Sequence, residues 1–191
     1  RLIEIFGITV FICGILLFLA LFSYSPEDPN FIFPKDTEIQ NLLGFQGSYI
    51  SDFFFQSVGL ISFMVPITYI FTGVKIFQNK DFFIVLENTF YLTLYLIVGS
   101  LFFSSFFYSD IFSFYYLNGN GGFVGEFLSK SFIKNIISMN EQISYYFLII
   151  LIISLFLLSI NFSLKGFFLG SKKIIQKIFN KKMKNYTNKN E

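Results

Sequence analysis

Histidine is absent from the 191-residue sequence. Its absence removes the usual general base near neutral pH and the commonest metal ligand. Cysteine occurs once, at Cys13, so neither an internal disulfide nor a cysteine metal site can be built. In the middle of an apolar run, Cys13 reads as a small residue facing lipid or a neighbouring helix. Charge is scarce: 14% of residues are charged against 54% hydrophobic, and 31 are phenylalanine. A water-soluble chain of this length could not hide so much apolar surface. No segment reads GxxxxGK[ST], the pattern in which backbone amides wrap phosphates while lysine reaches the outer ones. GNGGFVG lacks the lysine-hydroxyl pair, and GFFLGSKK has its glycines too close together. No nucleophile-base pair or metal-ligand set stands out. No catalytic, cofactor-binding or metal-binding residue is therefore expected here, and the region is not expected to be an enzyme.

Four long apolar runs are present. A bilayer core about 30 Å thick needs about 20 apolar helical residues, and runs of that size cover about 3–22, 53–74, 83–107 and 143–162. The first exceeds a secretory h-region and ends in FSYSPED without a small-x-small cleavage site, so it reads as an uncleaved span. Pro26 and Pro29 stop it, because each proline ring crowds the preceding residue out of the helical region. The expected fold is an all-α membrane protein, a four-transmembrane-helix bundle. Residues 1–165 form the membrane domain, and 166–191 form a basic juxtamembrane segment and the start of a linker. Arg1 in place of an initiator methionine is expected of a piece of a longer chain.

Positive charge sets the expected orientation. Arg1, Lys75, Lys80 and the lysines from Lys165 to Lys189 fall on one side of a four-span chain, whereas Lys35, Lys130 and Lys134 fall on the other. Both termini are therefore expected in the cytoplasm. In the second outer loop, NGNGG precedes Phe123, Val124, Phe127 and Leu128, which project within about 140° of one another at 100° per residue, a short amphipathic helical segment. Phe132, Ile133, Ile136 and Ile137 cluster on the opposite side, so a bend is expected near Ser129 to Ser131. After the fourth run, Ile174, Ile175, Ile178 and Phe179 share a helix face, with Lys172, Lys173, Lys177, Lys181 and Lys182 around the remainder. That pattern predicts an interfacial helix on anionic lipid.

Several residues within the runs or at their edges are open to two readings. Asp52 is either an ion or partner contact or, more in keeping with its position, a boundary or capping residue. Glu87 and Asn88 would form a proton or ion relay in a transporter, or else an interhelical hydrogen bond and a boundary charge. Pro66 predicts a kink in the second span. Gly7 and Gly14 predict a close-packing seam on the first span, and Gly59 and Gly73 a similar one on the second.

ALFSYSPEDPNF followed by NLLGFQGSYISDFFFQSVGLISFMVPI resembles the N-terminal four-span domain of the FtsK/SpoIIIE DNA translocases. The matching positions include Leu21, Ser23, Tyr24, Pro26, Asp28 and Pro29, then Asn41, Gly44, Gly47, Tyr49, Asp52, Gly59 and Pro66. Asn30 departs from the serine that often follows the second proline. GGFVGEFLS, with Gly121, Gly122 and Gly125, is similar to a GGxxGxxLS segment before the fourth span. The resemblance implies a membrane anchor and septum-targeting region of a hexameric, ATP-driven DNA pump in the bacterial inner membrane, acting in cell division and chromosome segregation. ATP, magnesium and DNA would then engage only a motor outside this sequence, and the partners here would be lipid, further copies and other division proteins. The alternative is a small multi-span transporter or channel subunit. Tyr24, Glu27 and Asp28 would either bind a periplasmic partner or brace the first loop against span two, with bracing favoured.

Overall fold

The computed structural model describes residues 1–29, 38–107 and 118–162. The predicted basic helix with Lys172, Lys173, Lys177, Lys181 and Lys182 lies outside the described residues. Within them the helices are α1 (Leu2–Phe22), α2 (Gly44–Val58), a 3-10 segment (Gly59–Phe63), α3 (Met64–Asn79), α4 (Phe83–Phe106), α5 (Gly122–Ser129), α6 (Ile133–Met139) and α7 (Glu141–Ser159). Among the described residues, four helical stretches are long and apolar enough to cross a membrane: Leu2–Phe22, Gly44–Asn79, Phe83–Phe106 and Glu141–Ser159. The fold is an all-α bundle of four such spans.

Small residues bring α1 and α3 together. A Cβ on Gly7 would sit 2.8 Å from the Phe77 nitrogen and 2.9 Å from the Gly73 oxygen, and one on Gly73 would sit 2.6 Å from the Gly7 oxygen. Gly14 lies as tightly against Ile70 and the Pro66 carbonyl. Helices in lipid gain little from burying apolar surface, so backbone contact of this kind supplies much of their packing. The opposite face of α1, including Ile5, Ile12 and Leu16, is exposed, as is Cys13. That is the expected state of a face turned to hydrocarbon.

The second span departs from its expected limits of 53–74. Helical geometry begins at Gly44 and is interrupted at Gly59, which has φ 72° and ψ −146°, a region closed to residues bearing a Cβ. The interruption lies ahead of Pro66, which falls in the first turn of α3 where a missing N–H is tolerated. At 1.5 Å per α-helical and 2.0 Å per 3-10 residue, Gly59 to Asn79 already covers about 34 Å. The 15 residues of α2 are thus more than a crossing requires, and they add an extra helix at one end of the bundle. Gly59 does not join Gly73 in a helix seam; it packs instead against the backbone of Asn120 and Gly121.

Hydroxyl and amide groups tie α3, α4 and α7 together in the interior. Thr68 Oγ1 lies 2.9 Å from the Tyr95 hydroxyl and 3.2 Å from Ser159 Oγ. Asn88 donates to Thr72 Oγ1 at 2.8 Å and accepts from Asn161 at 2.7 Å. Each of these buried groups is satisfied by its neighbours, which removes the penalty for placing it in a low dielectric. At one end of the bundle Lys80 pairs with Glu4 at 2.9 Å, and Asp81 accepts the Phe83 N–H at 2.9 Å to start α4. The other end, here the Asp28 end, holds the residues of the sequence motifs.

Candidate functional site

At the Asp28 end the chain leaves α1, turns through Pro26 and Pro29, and returns to α2. Asp28 is 3% exposed. Its Oδ1 accepts the Gln40 N–H at 2.8 Å and its Oδ2 the Asn41 N–H at 2.9 Å. A carboxylate receiving two backbone donors is strongly held, so the acidic turn is fastened to the strand of chain entering α2. Pro29 is buried beside it and its carbonyl accepts from Ser48 Oγ at 2.8 Å.

Asn41 completes the fastening. Its Nδ2 donates to the Ala20 carbonyl at 2.9 Å and the Ser23 carbonyl at 3.2 Å, two groups that the last turn of α1 leaves without helical partners. Its Oδ1 accepts the Leu43 N–H at 3.1 Å, and the Gly44 N–H reaches the Asn41 carbonyl at 2.9 Å. Ser23 Oγ donates to Leu19 at 2.7 Å and accepts from the Leu42 N–H at 3.1 Å. Gly47 faces Asn41 so closely that a side chain there would displace it. Asn41 was visible in the motif, but nothing in its residue type marked it as the hub joining α1, the turn and α2.

Asp52 lies one layer further along α2 and is 8% exposed. Its Oδ1 accepts from the Tyr24 hydroxyl at 3.2 Å and from Gln56 at 3.3 Å. The Tyr24 ring meanwhile packs on Phe55, with centroids 4.8 Å apart. The structure therefore brings Ser23, Tyr24, Asp28, Pro29, Gly44, Gly47 and Asp52 into one polar clamp, while Pro66 sits elsewhere. Glu27, by contrast, is exposed.

The glycine motif closes the same end. Gly121 and Gly125 present their bare faces to α4, where a Cβ on Gly121 would fall 2.8 Å from the Ser104 nitrogen and one on Gly125 2.8 Å from the Ser100 carbonyl carbon. Gly122, at φ 61°, sits against Val58 and Gly59. Three hydrogen bonds lock this contact: Leu60 N–H to the Asn120 carbonyl at 2.9 Å, Ser100 Oγ to the Val58 carbonyl at 2.9 Å, and Ser104 Oγ to Ser129 Oγ at 3.1 Å. Phe123 and Phe127 point away and are exposed. The face of α5 that meets the bundle is thus its glycine face rather than its phenylalanine face.

The Glu87–Asn88 pair does not form a path. Asn88 is buried in the interior bonds already described, whereas Glu87 is exposed on the outside of α4. No group of three or more His, Cys, Asp or Glu able to hold a metal occurs among the described residues.

Comparison with known proteins agrees with this architecture. The chain is 34% identical over 64 residues to the DNA translocase FtsK of Rickettsia prowazekii, a match covering 34% of this chain and 9% of that protein. It is 36% identical over 69 residues to the DNA translocase FtsK of Rickettsia bellii, covering 36% of this chain and 9% of that protein. The matched segments are thus a small fraction of these relatives' length. No solved structure matches. The family model described as the 4TM region of DNA translocase FtsK/SpoIIIE matches residues 1–171, and the chain, with its four spans and motif-built clamp, belongs to that family.

Proposed function

We propose that this four-span region anchors an ATP-driven DNA translocase in the bacterial inner membrane and carries it to the division septum, where the enzyme serves chromosome segregation. The observation behind the reading is the Asp28 clamp. The family's diagnostic residues are spent on fixing the connection between spans one and two, which is what a rigid anchor needs. The Asp28 end faces the periplasm in this reading, following the distribution of Lys and Arg. The opposite end, with Glu4 and Lys80, faces the cytoplasm together with the lysine-rich stretch containing Lys172, Lys173, Lys177, Lys181 and Lys182. In this reading those lysines favour an anionic leaflet, each contributing on the order of 1 kcal/mol.

Assembly follows from confinement. Tethering motor subunits to one membrane raises their effective concentration and favours their association, to a hexamer by family resemblance, without new contacts between motors. ATP and magnesium belong to the motor in this scheme, and DNA is engaged through it alone. Other division proteins meet the anchor at the Asp28 end. A fluorescent fusion of the chain tests the proposal in dividing cells: a band at the septum is expected, and uniform labelling of the envelope would overturn septal targeting.

A further inference from the structure

A groove of about 290 Å³ opens beside the clamp, between α2 and the segment leading into α5. Its walls include Tyr49, Phe53 and Phe123, and its polar lining includes Asp52, Gln56 and Asn118. Phe53 and Phe123 are 64% and 61% exposed, so the rim is apolar and open. Asp52 uses Oδ1 for Tyr24 and Gln56, and among the described residues nothing donates to Oδ2. None of the ion pairs among the described residues includes Asp52. Asp52 lines the groove with Oδ2 unbonded among the described residues, a position where a cationic donor would make a charge-assisted hydrogen bond.

Depth indicates which cation. Helix α1 rises about 30 Å from Leu2 to Phe22 at 1.5 Å per residue, matching the hydrocarbon thickness of a bilayer. Tyr24, just beyond its end, bonds Asp52. The groove therefore lies near the headgroup layer. We infer that it is a binding site for an ethanolamine phospholipid, whose primary ammonium donates to Asp52 Oδ2 between the aromatic walls while its chains run past Phe53 and Phe123. Aromatic walls suit a cation. A choline headgroup carries the same charge but has no N–H to donate, and a glycerol headgroup has no cation. The inference rests on the membrane reading of the fold, not on septal targeting.

The test is native mass spectrometry of the full chain in detergent, with phosphatidylethanolamine, phosphatidylcholine and phosphatidylglycerol supplied at equal excess. Phosphatidylethanolamine is expected to be retained at least about tenfold over the other two, as a charge-assisted hydrogen bond would give. Asp52→Asn, which keeps an acceptor for Tyr24, should bring it down to the phosphatidylcholine level. Ser57 also lines the groove, and Ser57→Phe, which fills it and leaves the carboxylate in place, should do the same. Equal retention of the three lipids, or undiminished phosphatidylethanolamine on both variants, overturns the assignment. Displacement by a lysine-bearing peptide with no lipid preference overturns it too, in favour of a protein partner. Because the readout is lipid preference, any of these failures leaves the anchor proposal standing.

Discussion

Asp28 receives two backbone N–H groups from the chain entering α2, so truncating it leaves the buried Asn41 donor and the part-buried Gln40 donor without an acceptor. Asp28→Ala is expected to destabilise the bundle by about 2–4 kcal/mol, read from denaturant or thermal unfolding in detergent. Asp28→Asn, which retains one acceptor, should cost clearly less, and equal losses for the two would contradict the hydrogen-bond account. Glu87→Gln should change stability by less than about 0.5 kcal/mol, because Glu87 lies exposed outside the interior bonds. These contrasts mark how far single residues could be read from sequence. An acidic pair between two prolines announces a turn, but Glu27 and Asp28 are chemically alike, and only the return of Gln40 and Asn41 makes one structural and leaves the other exposed. The Thr68, Tyr95 and Ser159 cluster escaped the sequence reading because its members come from three helices; the only local hint was the pair of hydroxyls at Thr68 and Thr72, one turn apart in an apolar run.

At the scale of elements, the apolar runs foretold the helices and the glycines foretold only part of the contacts. Gly7, Gly14 and Gly73 do line a close crossing, whereas Gly59 breaks its helix and receives Asn120. The two roles look alike in sequence, since both need a residue without Cβ, and they separate only when φ is known. Gly73→Leu should force α1 away from α3 and lower stability by about 1–3 kcal/mol, with the same unfolding measurement as the check. Gly125→Val should release α5 from Ser100 and Ser104 while α1 and α3 stay joined. Faster backbone hydrogen exchange confined to residues 118–129 and the facing part of α4 is the expected signature. The extra length of α2 was not legible, because hydropathy marks where hydrocarbon is tolerated and not where a helix starts; Asn41 and Gly44 set that start through the clamp.

At the scale of the whole molecule, the chain is a four-span bundle whose two ends are built differently. The Asp28 end is closed by bonded loops and short helices, and the Lys80 end carries the Glu4 pair and the turn into α4. The four helical stretches long enough to cross, found among the described residues, give an even number of crossings, and in the proposed anchor the placement of Lys and Arg puts both termini in the cytoplasm. Impermeant maleimide labelling of single-cysteine variants in intact cells measures this most directly, in a Cys13→Ser background that removes the native thiol. Glu27→Cys and Glu126→Cys are predicted to label from outside, and Gln78→Cys and Asn190→Cys only after the membrane is opened. Labelling of Gln78→Cys or Asn190→Cys in intact cells, or protection of Glu27→Cys and Glu126→Cys, would contradict the account.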